Sequence, residues 1–399
     1  MIIVGGSYRE TCSNPDIDRV FGSGGRAAAA IGTLSPDTRL HTYAYRGWAQ
    51  GVRSTMAAFG VGVHVTEIEE ELRFRYFYPL QLEQAPSIPG NGGGLGPLEA
   101  SGEVALAFGM LEGAPVITAR RAVFDPQASV FDAEGAVEPA ARLGGGSAIQ
   151  ELAYVVADHD LGPPEGDGHV QAVAMLRQEC GAQVVVVRDR VGGAEVHIGD
   201  ARPIRVPAYL ARTWSRIGVG DVFCAAFARF WGEVGLGDAA AADLAARAVA
   251  HFADGHRLPL PDAAGLSLVS DARAGLPAGP VMLVGPCATL AQRWLLDEAY
   301  MQLAKLLHGH ENPIFSPAHG DRPPHGDVAA VLAFVDGADV ATNVEVGRAR
   351  SARVPVVVLA EGTAPRDLTM FEGDGCEVTH DLATAIYRVF MAARRPAAP

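Results

Sequence analysis

Residues 217–223 read Ile-Gly-Val-Gly-Asp-Val-Phe and stand directly before a segment of small residues with helical patterning. Two glycines let the backbone turn so that successive N–H groups point into one space at a helix start, where the helix dipole adds positive potential. Such a loop stabilises a phosphoryl group, and an aspartate at the same point accepts the proton of an attacking hydroxyl. A structural alternative stays open, because glycine turns and aspartate caps are common at helix starts. The pattern predicts an anion hole formed by Gly218, Val219 and Gly220, with Asp221 as a catalytic base.

Upstream of this loop, the chain alternates strand and helix patterns. A glycine cluster at residues 22–25 runs into an alanine-rich helix, and residues 183–187 form an apolar run of the kind buried on both faces of a parallel sheet. Residues 61–82 alternate apolar and polar side chains, which is typical of strands. We expect two adjacent antiparallel strands there, joined near residues 69–71, that form a small side sheet or lid.

The order of these features resembles that of the ribokinase-like (PfkB) carbohydrate and nucleoside kinases over residues 1–265. The resemblance implies an α/β, ribokinase-like three-layer domain with a small β lid, which we place at residues 1–275. ATP and Mg²⁺ are the cofactors that it implies. It assigns the catalytic base to Asp221, the phosphate-binding loop to Gly218, Val219 and Gly220, and the sugar contacts to Gly24 and Gly25.

One departure from the family pattern concerns magnesium binding. Residues 157–160 read Ala-Asp-His-Asp where the family has an NxxE element that helps organise magnesium. A second interpretation therefore stays open, in which the kinase fold is kept for binding or assembly.

A second α/β pattern begins after the Pro- and Gly-rich residues 271–280, and we predict a second domain at residues 280–399. Asp339 ends a strand segment there, and Glu345 follows six residues later at the start of the next helix. Ligands of open α/β sheets bind at the carboxyl ends of strands. Two carboxylates in that crevice split roles, one attacking an anomeric carbon and the other holding or transferring a proton. The structural alternative is an Asp cap and a Glu favoured by the helix dipole.

Residues 280–362 resemble the nucleoside 2-deoxyribosyltransferase family. The resemblance is carried by a Gly-Pro loop after the first strand, by FSPAHGD at residues 315–321 and by DGADVATNVEVG at residues 336–347. It implies a flavodoxin-like, doubly wound parallel-sheet domain and a homo-oligomer in which neighbouring subunits complete each other's sites. It makes Glu345 the nucleophile of a glycosyl-enzyme intermediate, Asp339 a ligand of the base or sugar, and Gly285, Pro286, His319, Asp321 and Thr342 substrate contacts. His325 stands beside His319 and Asp321, and a metal site there is a further, weaker alternative.

Composition excludes several other kinds of function. The net charge of −14 argues against binding nucleic acid. A single lysine, Lys305, lies inside a helical pattern and fits neither Schiff-base chemistry nor a Walker P-loop. The five cysteines show no CxxC spacing, which indicates reduced thiols and neither disulfides nor a zinc site. The apolar start MIIVGG carries no basic leader, and no apolar run reaches the ~18 residues of a membrane span. We expect a cytoplasmic protein.

These observations together predict an enzyme of nucleoside or nucleotide metabolism whose partners are a small nucleoside, nucleotide or sugar. Its C-terminal domain cleaves or transfers an N-glycosidic bond, and its N-terminal domain binds a sugar or nucleoside and phosphorylates it with ATP. The alternative is a non-catalytic kinase-like binding or scaffold module attached to a nucleoside hydrolase or a nucleotide-sensing domain.

Overall fold

The computed structural model describes residues 1–81, 95–132, 135–161, 168–275, 277–307, 314–321 and 328–396. The chain forms two compact units, which we call the N-terminal unit and the C-terminal unit. Residues Met1–Ala211 and Arg216–Ser270 make the N-terminal unit, and residues Arg212–Ser215 and Asp271–Pro399 make the C-terminal unit. Two differences from the predicted domains follow: the division comes after Ser270, and a short segment just before the glycine loop belongs to the C-terminal unit.

A nine-stranded sheet forms the centre of the N-terminal unit. The described strands of this unit are β1 (Ile2–Val4), β2 (Arg9–Cys12), β3 (Ile17–Val20), β4 (Arg39–Tyr45), β5 (Gly62–Ile68), β6 (Arg73–Tyr76), β7 (Leu98–Phe108), β8 (Pro115–Asp125), β9 (Ala148–Ala157), β10 (Val184–Arg188), β11 (Ala194–Ile198), β12 (Ile204–Val206) and β13 (Ala208–Tyr209). The large sheet has the order β12-β11-β10-β9-β8-β7-β1-β4-β5. Its pairs are parallel except for those of β11, which runs antiparallel to β10 and β12. The α/β class with a large, mainly parallel sheet is therefore confirmed.

Alanine-rich helices cover this sheet. The described helices of the unit are α1 (Gly22–Ile31), α2 (Ala49–Ala58), α3 (Gly168–Cys180), α4 (Val219–Phe227), α5 (Asp238–Ala253) and α6 (Ala263–Ser267), with short 3₁₀ turns at Pro139–Ala141 and Asp158–Leu161 and a π-helical continuation of α4 at Ala228–Glu233. Helix α1 is buried along its whole length and packs against α4, which in turn packs against α5. Small side chains allow this close approach and bring the glycine cluster of α1 next to the glycine loop that starts α4.

The small sheet is formed by different strands from those we expected. It has the order β3-β2-β6, with β2 antiparallel to β3 and parallel to β6. The prediction of two antiparallel partners within residues 61–82 is wrong, because β5 pairs with β4 at the edge of the large sheet. Residues 69–72 carry the chain from one sheet to the other and contain none of the Gly or Asn residues that favour a tight hairpin. Alternation predicts a strand and says nothing about its partner.

The C-terminal unit is built on an all-parallel sheet of five strands. Its described elements are β14 (Ala272–Ala274), β15 (Val281–Val284), α7 (Leu290–Leu306), β16 (Ile314–Phe315), a 3₁₀ turn (Pro317–His319), β17 (Ala330–Phe334), α8 (Val340–Ser351), β18 (Val356–Leu359), α9 (Pro365–Gly373), β19 (Glu377–Thr379), α10 (Leu382–Ala393) and β20 (Arg395–Pro396). The sheet order is β16-β15-β17-β18-β19, and β14 pairs antiparallel with β20. Strands β15, β17 and β18 are buried at every position, which explains their continuous apolar sequences. Within the described part of the chain, no helix is both long and apolar enough to cross a membrane.

Candidate functional site

The glycine loop forms the N-terminal end of α4. Gly218 is the residue that caps this helix, and its φ of 85° lies in the left-handed region that favours glycine. A β-carbon at Gly218 would lie 2.3 Å from Nε of Arg26, and one at Gly220 would lie 2.3 Å from Nη1 of Arg188. Two guanidinium groups therefore lie against the loop, and both glycines are needed to admit them. Val219, the remaining residue of the predicted anion hole, is the first residue of α4.

Arg26 holds the predicted catalytic base. Its Nη1 donates a hydrogen bond to Oδ2 of Asp221 at 2.6 Å, and its Nη2 donates to Oε2 of Glu10 on β2. The three side chains are only 5–8% exposed. Burial opposes the charge on Arg26, but the two carboxylates raise its pKa, so the guanidinium stays charged. The result is a buried ion triad between β2, α1 and α4 that fixes the position of Asp221.

The second oxygen of Asp221 is also engaged. Gln127 donates from Nε2 to Oδ1 of Asp221 at 3.0 Å, and its own Oε1 accepts a hydrogen bond from the Ser23 hydroxyl at 2.7 Å. The Ser23 hydroxyl is in turn 2.7 Å from the Tyr8 hydroxyl. Burial raises the pKa of Tyr8, and the charges of Asp221 and Glu10 raise it further, so Tyr8 stays protonated. Each oxygen of Asp221 therefore already accepts one hydrogen bond from a neighbouring side chain.

A second ion pair lies beside this triad. Arg188, the last residue of β10, donates from Nη2 to Oδ2 of the buried Asp125 at 2.9 Å. The thiol of Cys224 on α4 donates to the same oxygen at 3.3 Å. Burial raises the pKa of Asp125 to about 6 against the opposing effect of Arg188, and burial also raises the pKa of Cys224. Cys224 is therefore a protonated hydrogen-bond donor.

The carboxylates at the positions of the family's NxxE element lie beside His and Arg side chains of the protein itself. Asp158 lies 3.2 Å from Nδ1 of His159 and 3.4 Å from Nε of Arg190, and Asp160 lies 3.7 Å from Nε2 of His159. Asp125 is paired with an arginine in the same way. Across the described ranges, no group of three or more His, Cys, Asp or Glu side chains is placed to hold a metal ion. These residues do not fit the Mg²⁺ that the sequence resemblance implies.

The glycines predicted to contact a sugar lie in the first turn of α1. A β-carbon at Gly24 would lie 2.6 Å from the carbonyl oxygen of Gly5, and the Gly24 N–H donates to the Gly6 carbonyl at 3.2 Å. Gly24 therefore allows α1 to pack on the chain that follows β1. A β-carbon at Gly25 would meet only an ordinary contact of 3.5 Å, with the Ser7 hydroxyl.

In the C-terminal unit, polar groups collect where β15 and β17 end. Gly285 follows β15, and a β-carbon there would lie 2.7 Å from a side-chain atom of β17, so glycine allows the two chain segments to approach. Pro286 continues this loop and is buried. Asp336, two residues after β17, accepts hydrogen bonds from two backbone N–H groups at residues 361–362 and from the Thr363 hydroxyl, at 2.6–3.0 Å. The sequence analysis predicted no role for Asp336. The feature that could have indicated one is an Asp-Gly pair directly after an apolar strand.

The two predicted catalytic carboxylates lie on one helix but on different faces of it. Asp339 caps α8, and its Oδ1 accepts hydrogen bonds from the backbone N–H and the hydroxyl of Thr342, both at 2.8 Å. These bonds lower the pKa of Asp339, so its carboxyl is ionised. Glu345 is the sixth residue of α8, in its second turn, and its Oε1 accepts a hydrogen bond from Arg348 at 2.8 Å. Six residues of α-helix advance about 9 Å and turn about 600°. Asp339 therefore has the capping role of the structural alternative, and Glu345 is not brought beside it.

His319 and Asp321 stabilise the turn after β16. The Nδ1 of His319 lies 2.7 Å from the Ser316 hydroxyl, and its Nε2 lies 2.8 Å from a carboxylate oxygen of Asp297 on α7. Asp321 accepts a hydrogen bond from the Ser316 backbone N–H at 3.0 Å. His325 lies outside the described residues.

No protein-family model and no curated protein matches the chain. Several solved structures are similar to its N-terminal two thirds. A ribokinase from Thermotoga maritima is 14% identical, with a TM-score of 0.44 over 67% of this chain and 98% of that one. Phosphofructokinase-2 from Escherichia coli, in complex with substrates and products, is 14% identical, with a TM-score of 0.44 over 67% and 97%. A pyrophosphate-dependent kinase in the ribokinase family, complexed with a pyrophosphate analog and myo-inositol, is 15% identical, with a TM-score of 0.43 over 65% and 97%. At this level of similarity, none of these proteins assigns an activity, a substrate or a family to the chain.

Arg26 and Arg188 were missed by sequence reasoning. Arg26 and Asp221 are 195 positions apart in the chain, so their contact leaves no local pattern. The available signals were weak: an arginine directly after the Gly-Gly pair of an alanine-rich helix, and an arginine that ends a run of four valines.

Proposed function

We propose that the protein is an enzyme of nucleoside or nucleotide metabolism with one site in each unit. The N-terminal unit binds a sugar or nucleoside at Asp221 and phosphorylates it with ATP. The observation that carries this proposal is the place of Asp221, in the first turn of α4, behind a loop that only glycines can form. A large, mainly parallel sheet with a small second sheet, together with the sequence resemblance to ribokinase-like kinases, supports the same activity.

Asp221 acts as the base in this proposal. The substrate hydroxyl replaces Gln127 at Oδ1 and donates a hydrogen bond to the carboxylate. Its oxygen attacks the γ-phosphorus of ATP, the bond from that phosphorus to the β,γ-bridging oxygen breaks, ADP leaves, and the hydroxyl proton passes to Asp221. Arg26 stays on Oδ2 and keeps the carboxylate oriented. We assign no step to magnesium, because the nearby carboxylates are paired with His and Arg side chains.

The variant Asp221→Asn tests this assignment. Loss of the base should lower phosphoryl transfer to the best acceptor, found in a panel of sugars and nucleosides, by about 100-fold or more. Asp271→Asn, which changes a half-exposed carboxylate that pairs with Arg273, is the matched control and should leave the rate unchanged. Circular dichroism should show both variants folded. An undiminished rate in Asp221→Asn would exclude Asp221 as the base.

A second candidate function for this unit is binding without phosphoryl transfer. The specific observation in its favour is that both oxygens of Asp221 already accept hydrogen bonds, from Arg26 and Gln127. A panel of sugars and nucleosides separates the two functions: a ligand that raises the melting temperature and is recovered unphosphorylated after incubation with ATP favours the binding module.

For the C-terminal unit, we propose cleavage or transfer of an N-glycosidic bond through Glu345. Counted within the five-stranded sheet, the strand order is 2-1-3-4-5, which is the order of flavodoxin-like doubly wound sheets. Such sheets bind ligands at the carboxyl ends of their strands, where Asp336 and Asp339 lie. The sequence resemblance to nucleoside 2-deoxyribosyltransferases supplies the choice of Glu345. Substrate must then compete with Arg348 for its carboxylate.

Glu345→Ala should abolish base release or exchange from nucleosides, whereas Glu345→Gln should still bind them, because only the nucleophilic oxygen is lost. Glu372→Ala, at an exposed position of α9, is the matched control and should keep full activity.

A 2-fluoro-2-deoxy nucleoside slows breakdown of a glycosyl-enzyme and should leave a covalent adduct. Peptide mapping by mass spectrometry should locate that adduct on the segment that contains Glu345. An adduct elsewhere, or base release that survives Glu345→Ala, would refute the mechanism.

A further inference from the structure

Arg188 is a buried cation with most of its hydrogen-bonding capacity unused. Its side chain is 15% exposed. A guanidinium group has five N–H donors, and within the described residues the structure gives Arg188 one hydrogen bond, from Nη2 to Asp125. Its Nε is buried and has no hydrogen-bond partner among these described residues. A buried donor without a partner destabilises the folded state, so its presence calls for a ligand or a functional reason.

The free side of this guanidinium faces the glycine loop. Nη1 of Arg188 lies so close to Gly220 that any side chain there would collide with it. Gly220 is in the first turn of α4, where backbone N–H groups and the helix dipole favour an anion. Arg26, the other guanidinium at this loop, is already neutralised by Glu10 and Asp221. Arg188, by contrast, still has donors to offer at the loop.

Arg188 also interacts with the charges of several nearby carboxylates. Burial opposes its charge, but Asp125, Asp160 and Asp221 all raise its pKa, so these three carboxylates face a permanently charged guanidinium. A planar guanidinium binds phosphate oxygens in pairs and carries its charge at every accessible pH.

We propose that the head of α4 is a metal-independent site for the terminal phosphates of a nucleoside triphosphate or of pyrophosphate, with Arg188 as the residue that binds them. This inference deepens the proposed kinase function and rests on it for the identity of the ligand. Two phosphate oxygens accept hydrogen bonds from the Arg188 guanidinium, and the backbone N–H groups of the glycine loop bind the remaining charge. Asp125 holds the guanidinium in place through its second nitrogen.

Isothermal titration calorimetry with ATP and with inorganic pyrophosphate, each in EDTA and in excess Mg²⁺, tests the site. We expect binding in EDTA, with a Kd that magnesium changes by no more than about twofold, whereas Arg188→Gln should weaken it at least about 10-fold, as expected for loss of a charge-assisted pair. Arg188→Lys should have an intermediate Kd, since a point charge replaces the bidentate fork.

Two controls accompany this test. Arg190→Gln removes a partly exposed neighbour that pairs with Asp158 and should leave the Kd unchanged. Adenosine alone is the control for contacts to the nucleoside, and a comparison of ATP with pyrophosphate identifies the source of the phosphates.

Arg188→Gln leaves Asp125 without its cation and is expected to lower stability. The double variant Arg188→Gln, Asp125→Asn removes the unpaired charge and keeps the binding test valid if the single variant unfolds. Binding that requires magnesium, or binding in EDTA that survives the loss of Arg188, would overturn the inference and leave the kinase proposal intact. Binding in EDTA that depends on Arg188, without transfer to any acceptor, would support the inference and refute the kinase. Absence of binding under both conditions would overturn both.

Discussion

At the scale of single residues, Glu112 shows what burial does to the pKa of a carboxyl group. It is 7% exposed, and its Oε1 is buried with no hydrogen-bond partner among the described residues. Burial raises the pKa of Glu112 to about 7, from an ordinary value of 4.5. Between these two pH values the folded protein holds a proton that the unfolded chain has released. The free energy of unfolding should therefore decrease as pH rises through this range.

Glu112→Gln should flatten this pH dependence, because an amide does not titrate. Urea unfolding at pH 5 and pH 8 measures it, and the wild-type protein should lose up to about 3 kcal/mol more than the variant between those pH values. Part of the slope should persist in the variant, since burial also raises the pKa of Asp125 to about 6. Glu103→Gln, at an exposed position, is the matched control and should retain the wild-type slope. A Glu112→Gln variant with the full wild-type slope would show that Glu112 is ionised in the folded protein.

At the scale of elements, local patterns predicted the type of an element better than its partner. The four consecutive valines before Arg188 form a buried strand as predicted, since a continuous apolar run is stable only where both faces of the sheet are covered. Strands β2 and β3 were not predicted. Each is only four residues long, contains charged side chains and shows no clear alternation of apolar and polar residues. The pairing partner of β5 was predicted wrongly for another reason: strand pairing depends on chain segments that are distant in sequence.

The candidate site shows the same limit. Gly218 and Gly220 could be predicted because a turn before a helix has a local signature. The sequence could not predict why glycine is required at these two positions. That requirement comes from Arg26 and Arg188, whose side chains reach the loop from α1 and β10. The capping role of Asp339 was available as an alternative, since caps are local. The pairing of Glu345 with Arg348 could also be read from the i, i+3 spacing of opposite charges.

At the scale of the whole molecule, the division of the chain is not a single cut. Residues Arg212–Ser215 belong to the C-terminal unit although the chain returns to the N-terminal unit immediately afterwards. Trp214 explains this assignment. Its ring stacks on that of Tyr387 with centroids 4.2 Å apart and planes 3° from parallel, and its backbone N–H donates to the Thr384 hydroxyl at 3.0 Å. Composition predicted the boundary near residue 275, but it gave no indication that residues Arg212–Ser215 belong to the C-terminal unit.

Trp214→Ala should therefore destabilise the C-terminal unit, although residue 214 lies more than fifty positions before the start of its main segment. Trp214 is 4% exposed, and truncation of a buried aromatic side chain costs about 3–5 kcal/mol through lost contacts and the cavity left behind. Hydrogen exchange in the full-length protein measures the effect by location: amides of β15, β17 and β18 should exchange faster in the variant, and amides of the central strands β7 and β8 should keep their protection. Trp294→Ala, which changes a tryptophan on α7 that is 43% exposed, should have a smaller effect on the same amides. If exchange accelerates in β7 and β8 and not in β15, β17 and β18, Trp214 stabilises the N-terminal unit, and the chain divides in one cut after Ser270.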